Sequence, residues 1–175
     1  MSATALRSKA DELARFDTAR ISAFQRSFCF SELQDSKSVR SKIKSQLNQK
    51  HPFIYLIFAN AEASTSKIVD AFKEAKEAEK GRNYSRINER METCDSRCLY
   101  VGSSNPGFAR FTQHFGYASK QTYSLHLSSW APELPGGVEI DIISFLDEED
   151  SRLLPFVEDS LAAIHKPTFG RRGSA

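Results

Sequence analysis

Cysteine is scarce in this chain. Cys29, Cys94 and Cys98 are the only three in 175 residues, an odd count that excludes a disulfide framework. Cys94 and Cys98 lie close together, but no second ligand pair stands at zinc spacing, so they read as two loop thiols. Long apolar runs are missing as well, and none approaches the roughly 20 residues needed to cross a bilayer. Met1 to Arg20 is studded with charge and holds no apolar signal-peptide core. A cytoplasmic protein with no membrane association is the expectation. Net charge is also small: 24 Lys and Arg against 22 Asp and Glu leave +2. That balance does not by itself mark a nucleic-acid binder. Internal repeats and low-complexity tracts are absent.

What is present is ordinary for a globular chain, with 40% hydrophobic and 26% charged residues. The length suits one domain with a real core, alone or with a short helical extension. Charge is unevenly spread. Basic residues gather in Arg40–Lys50, Lys80–Arg90 and Lys166–Arg172, and acid gathers in Asp147–Asp150. Such runs are more often solvated faces than phosphate sites.

Hydrophobic spacing predicts helices over 4–28 and 38–49, the second stopped by Pro52. Phe53–Ala59 is a short apolar run of strand type. A helix follows over 64–80 with Gly81 beyond it, then irregular chain over 82–97. Cys98–Gly102 reads as a second strand. Asn105 and Pro106 form a helix-start signal, and Gly116 ends that helix. Residues 117–137 read as loop, and Val138–Leu146 as a third strand. Asp147–Ser151 is an acidic entry to a last helix, striped by Leu154, Val157, Leu161 and Ile164 and ended by Pro167. Strands alternating with helices fit a parallel sheet, but three strands fit a small α+β domain equally well.

Five polar residues stand out against this frame. Tyr55 and Tyr100 are phenols within otherwise apolar strands. Arg110 and His114 lie four apart and share a helix face, with Phe108, Phe111 and Phe115 expected on the other. Glu158 sits beside the last apolar stripe. Singly, each is more often structural: a packed tyrosine, an exposed helix face, a solvated glutamate. Together they supply what phosphodiester hydrolysis needs: a base for the attacking water, a carboxylate for a divalent metal, and a cation for the developing charge.

The ordered set resembles the GIY-YIG nuclease family. The GIY strand corresponds to Phe53-Ile54-Tyr55 and the YIG strand to Tyr100-Val101-Gly102, followed by Ser103 and Ser104. The Arg and His of the next helix are Arg110 and His114. The closing Glu, Leu, Pro and Asn of the family fall on Glu158, Leu161, Pro167 and Gly170. The span is about residues 53–170. Phe53 replaces the first glycine, Gly170 replaces the last asparagine, and the stretch between Tyr55 and Tyr100 is long, as in restriction-like members.

The resemblance implies a three-stranded antiparallel sheet flanked by helices. The nuclease domain would cover 51–170, with a helical insertion at 60–97, a helical extension at 1–50 and a tail at 171–175. It implies a metal-dependent endonuclease acting on DNA in a single step with one Mg2+ (or Mn2+) held by Glu158. Tyr55 would act as general base and Arg110 would stabilise phosphate charge. Tyr100 and His114 would position water and phosphate or relay a proton. Arg86, Asn88, Lys166, Arg171 and Arg172 are the expected substrate contacts. Tyr84, Tyr123 and His126 are further candidates for such contacts, whereas Trp130 reads as a packing anchor. The insertion could reach DNA or pack on the sheet. The small size and the absence of a separate DNA-reading module add the expectation of a homodimer or a partner subunit. The competing expectation is a non-catalytic nucleic-acid-binding or interaction domain that keeps the fold.

Overall fold

A computed structural model describes residues 21–45, 51–88, 96–104, 108–117, 119–145 and 152–170. Residues 4–20 of the helix expected over 4–28, the Asn105-Pro106 helix start, the acidic entry 147–151, Cys94, Arg171 and Arg172 lie outside the described residues.

The fold is α+β, built on one antiparallel sheet of four strands rather than three. The strands are β1 (Ile21–Cys29), β2 (Phe53–Ala59), β3 (Cys98–Ser104) and β4 (Gly137–Phe145). Their order across the sheet is β1-β4-β2-β3. The helices are α1 (Ser36–Lys44), α2 (Thr65–Ala78), α3 (Ala109–His114), α4 (Leu127–Trp130) and α5 (Leu154–His165), with a 3-10 helix at Phe30–Gln34. Among the described residues no helix is long and apolar enough to cross a membrane.

The additional strand is β1, which corrects the helix expected through residue 28. It pairs with β4 from Ile21 opposite Phe145 to Cys29 opposite Gly137. Phe24 and Phe28 are four apart, a spacing that places two residues on one face of a strand as readily as on one face of a helix. Phe28 is buried and Phe24 packs against the core, while Ala23, Gln25 and Ser27 are exposed. Ala23, Gln25 and Ser27 thus alternate outward, as the pleat of a strand requires, while Arg26 on the phenylalanine face is half-buried. Phe28, Phe30, Leu33, Val39 and Ile43 all belong to the main core. Over 21–44 the chain is therefore part of the sheet domain and not a helical extension. The helix read from 38 starts at 36, because the Asp35 carboxylate accepts hydrogen bonds from the Lys37 and Ser38 amides at 3.1 and 3.0 Å.

β2 is central and buried on both faces, which explains its unbroken apolar run. Phe53, Tyr55, Ile57 and Ala59 point into the main core; Ile54 and Leu56 point into a smaller one with Cys98, Val101, Phe145 and Leu154. Val157 and Leu161 of α5 cover the smaller core, while Ile164 of the expected stripe stays exposed. On the other face, α2 buries Ile68 and Phe72 in the main core, so this part of the insertion packs on the domain. Trp130 meets Phe72 edge-on at 5.6 Å. Its indole N–H donates to the Leu125 carbonyl at 2.8 Å, the anchoring use of a buried tryptophan.

Candidate active site

Tyr55 lies opposite Gly102 in the β2–β3 pairing. Successive residues on one strand face are two apart, so Tyr100 and Gly102 share the face that Tyr55 occupies. Gly102 has no side chain to occupy that space. A Cβ there would fall 2.7 Å from the Tyr55 hydroxyl and 2.6 Å from a Tyr100 ring carbon. The two phenol rings are near-parallel, 12° apart, with centroids 6.1 Å apart.

Helix α3 then closes over them. Phe111 meets Tyr55 edge-on at 5.1 Å. The His114 ring lies 4.0 Å from Tyr100 and 5.6 Å from Tyr55. His114 is fully buried, as are Phe111 and Phe115, so it does not share a solvent face with Arg110. A six-residue helix pressed into a core buries most of its circumference, and the expected division into two faces does not hold. Arg110 reaches the Tyr100 hydroxyl with Nη2 at 3.5 Å. Its Nη1 donates to Gln113 Oε1 and to the Tyr123 carbonyl, each at 3.0 Å. These two contacts fix the guanidinium. Gln113 stands three residues from Arg110, a spacing from which its buttressing contact could have been read.

Glu158 comes from α5, on the far side of the β3 edge strand. Ser103, the residue after Gly102, donates its hydroxyl to Glu158 Oε2 at 2.5 Å. Burial raises the Glu158 carboxyl above its ordinary value; the Ser103 hydrogen bond and the Arg110 charge act the other way. Glu158 in turn raises both phenols electrostatically, and Arg110 lowers both. The five residues therefore share one electrostatic neighbourhood. Among the described residues Glu158 is joined to the other four through Ser103 and through charge, not by a direct hydrogen bond.

Burial changes the protonation picture expected for the site. Desolvation drives Tyr55 well above the ordinary phenol value, and Tyr100 upward as well. Among the described residues the Tyr55 hydroxyl and both His114 nitrogens have no hydrogen-bond partner. Desolvation first, then the Arg110 charge, hold His114 well below its ordinary 6.5. Tyr55 and His114 are thus neutral at rest. A resting Tyr55 phenolate is not available as the base.

The depressed His114 has a measurable consequence. Its unfolded form binds a proton near pH ~6.5 while its folded form does not. Stability from this group is complete above that pH and is lost as pH falls through the folded value. His114→Phe removes the term, and it also removes two buried orphan nitrogens, a change that is near neutral or stabilising by up to about 1 kcal/mol. Melting curves from pH 8 to 5 should show the wild type losing stability more steeply below about pH 6.5 than the variant. His126, also lowered chiefly by burial, leaves the variant a residual slope.

The expected substrate contacts divide. Arg86 and Lys166 are exposed. Lys166 caps α5 in the left-handed conformation, with φ 47°. The Asn88 side chain donates to the Pro167 carbonyl at 2.7 Å and so ties the insertion to the chain after α5. Tyr84 and His126 are buried, and their rings meet edge-on at 5.3 Å. Gly170, in the place of the expected asparagine, has φ +118°, a conformation glycine tolerates best. A Cβ there would lie 3.1 Å from the Tyr100 ring, so Gly170 is the close-packed seat of that phenol. Sequence reasoning quoted Gly102, Ser103 and Gly170 without giving them these roles.

Glu158, the one carboxylate among the five residues, is the oxygen donor that would hold a hard divalent cation. Glu158 is a carboxylate raised by desolvation, the condition that a nearby cation relieves. Magnesium completes its shell with water and substrate oxygens, so the lack of a cluster of three or more His, Cys, Asp or Glu among the described residues does not conflict with it. The Cys98 thiol, pushed up to about 12 by burial, is not a thiolate ligand at neutral pH. No protein-family model matches the chain, and no curated protein or solved structure matches it either.

Proposed function

We propose that the chain is a magnesium- or manganese-dependent endonuclease that hydrolyses phosphodiester bonds in DNA, with a GIY-YIG-like site of Tyr55, Tyr100, Arg110, His114 and Glu158. The observation that carries this reading is the gathering of Tyr55, Tyr100, Arg110 and His114 over Gly102, with Glu158 held on the adjacent Ser103. Arg110, already fixed by Gln113 and the Tyr123 carbonyl, holds the phosphate and its developing charge. The Tyr55 hydroxyl, lacking a partner among the described residues, would orient the attacking water as a neutral phenol, taking the water's proton as its own passes to a nitrogen of the neighbouring His114 ring. Tyr100 and neutral His114 hold its position, and His114 has two nitrogens able to take part in a relay. A cation held by Glu158 would neutralise charge on the scissile phosphate. Exposed Arg86 and Lys166 suit backbone phosphates, contacts that add affinity without reading sequence. We place the activity in the cytoplasm, with a second copy or a partner subunit aiding substrate selection.

Plasmid DNA should be cut with magnesium and left intact with a chelator, and Arg110→Ala should slow cutting about a hundredfold. Cleavage unaffected by the chelator or by this substitution sinks the assignment. The sealed Tyr55 hydroxyl and His114 ring favour a second reading, a non-catalytic nucleic-acid-binding or interaction domain. DNA binding without cleavage under any divalent metal would establish that one.

A further inference from the structure

Tyr123 is 65% exposed, yet its backbone is tightly held. The segment around it runs beside the insertion. Asn83 N–H donates to the Lys120 carbonyl at 2.8 Å, Ser124 N–H to the Asn83 carbonyl at 3.3 Å and Ser85 N–H to the Ser124 carbonyl at 3.0 Å. The Asn83 side chain adds a bond to the Gln121 carbonyl at 2.6 Å. His126 Nε2 lies 3.1 Å from both the Asn83 and the Thr122 carbonyls. Ser124 and Leu125 are fully buried. The buried side of this stretch is therefore fixed, and the Tyr123 ring is left in solvent.

A single exposed aromatic is common and means little alone. Here a second observation gives it direction. Arg110 Nη1 grips the Tyr123 carbonyl at 3.0 Å while Nη2 reaches the Tyr100 hydroxyl at 3.5 Å. The guanidinium that would hold the scissile phosphate is the same one that holds the backbone carbonyl of the residue carrying the exposed ring. An aromatic on an ordered backbone is a stacking platform for a nucleobase, and every base has a face to offer it. Within a duplex, that face is already covered by its neighbours. Only an unpaired or extruded base can use the platform.

We propose that Tyr123 is a base-stacking residue beside the site, and that the site prefers DNA with an unpaired nucleotide next to the bond that is cut. This rests on the nuclease reading above. The test measures binding and cutting separately. In chelator, the intact chain is titrated against a labelled paired duplex and against the same duplex with one unpaired nucleotide. The wild type binds the second DNA more tightly. Tyr123→Ala loses that preference, weakening about fivefold or more, at an unchanged melting temperature and unchanged duplex affinity. Tyr123→Trp keeps it. Equal binding of both DNAs by the wild type, or a preference surviving in Tyr123→Ala, overturns the proposal. Cleavage with magnesium but without preference overturns stacking alone. Preference without cleavage supports stacking and removes the nuclease reading.

Discussion

Gly102→Ala is expected to cost the protein stability and, under the nuclease function proposed above, to lower cleavage by roughly several hundredfold. The added methyl would sit 2.6 Å from a Tyr100 ring carbon and 2.7 Å from the Tyr55 hydroxyl, with the next Tyr55 atom at 2.8 Å. No carbon contact survives at such distances, so something must move. Tyr55 cannot swing aside cheaply, because it is fully buried between Phe111 and His114. Tyr100 is pinned from the other side by Gly170. Overpacking of this kind destabilises by about 1–3 kcal/mol. The activity loss is larger, because a shift of about 1 Å in a reacting group can cost a hundredfold by itself, and here two phenols shift. Far-ultraviolet circular dichroism and thermal melting report the first effect, and the plasmid assay the second. A Gly102→Ala protein that melts and cuts like wild type removes the tyrosine pair from the site. A variant that keeps near-native melting but loses cutting separates the site from the fold.

The same geometry explains what the sequence could and could not reveal. β2 was legible because a central strand is apolar throughout, and β3 because its apolar run is short and bounded. The antiparallel pairing came only with the family resemblance, since strands alternating with helices fit a parallel sheet as well. β1 was misread because Phe24 and Phe28 satisfy two periodicities at once, and only pairing with β4 decides between them. The site residues were readable as types in an order. Their protonation was not, because it depends on how completely α3 and the sheet exclude water from Tyr55 and His114. Gly170 was legible in the sequence only as a departure from the asparagine of the resembled pattern. Its positive φ and its contact with Tyr100 show a different use of the position. Such tolerances of a few tenths of an ångström are set by chain segments far apart in sequence.

Glu158→Gln should divide the two demands made on the site. Burial raises the Glu158 carboxyl above its ordinary 4.5, so ionising it costs more in the folded protein than in the unfolded chain. Stability linked to this group is present below pH about 4.5 and is lost as pH rises through the higher folded value. Glutamine stays neutral throughout and can still accept the Ser103 hydroxyl. In chelator at neutral pH the variant should therefore melt at a higher temperature than the wild type, and the two should converge in acid. Magnesium reverses the order. A cation that binds the folded wild type stabilises it by mass action, whereas an amide lacking charge gives the cation little to hold. Cleavage should fall about a thousandfold, the several kcal/mol a bound metal contributes to phosphoryl chemistry. A magnesium-dependent rise in melting temperature equal in both proteins would place the metal elsewhere. A variant less stable than the wild type in chelator would mean that the carboxylate is held for the fold and not for a cation.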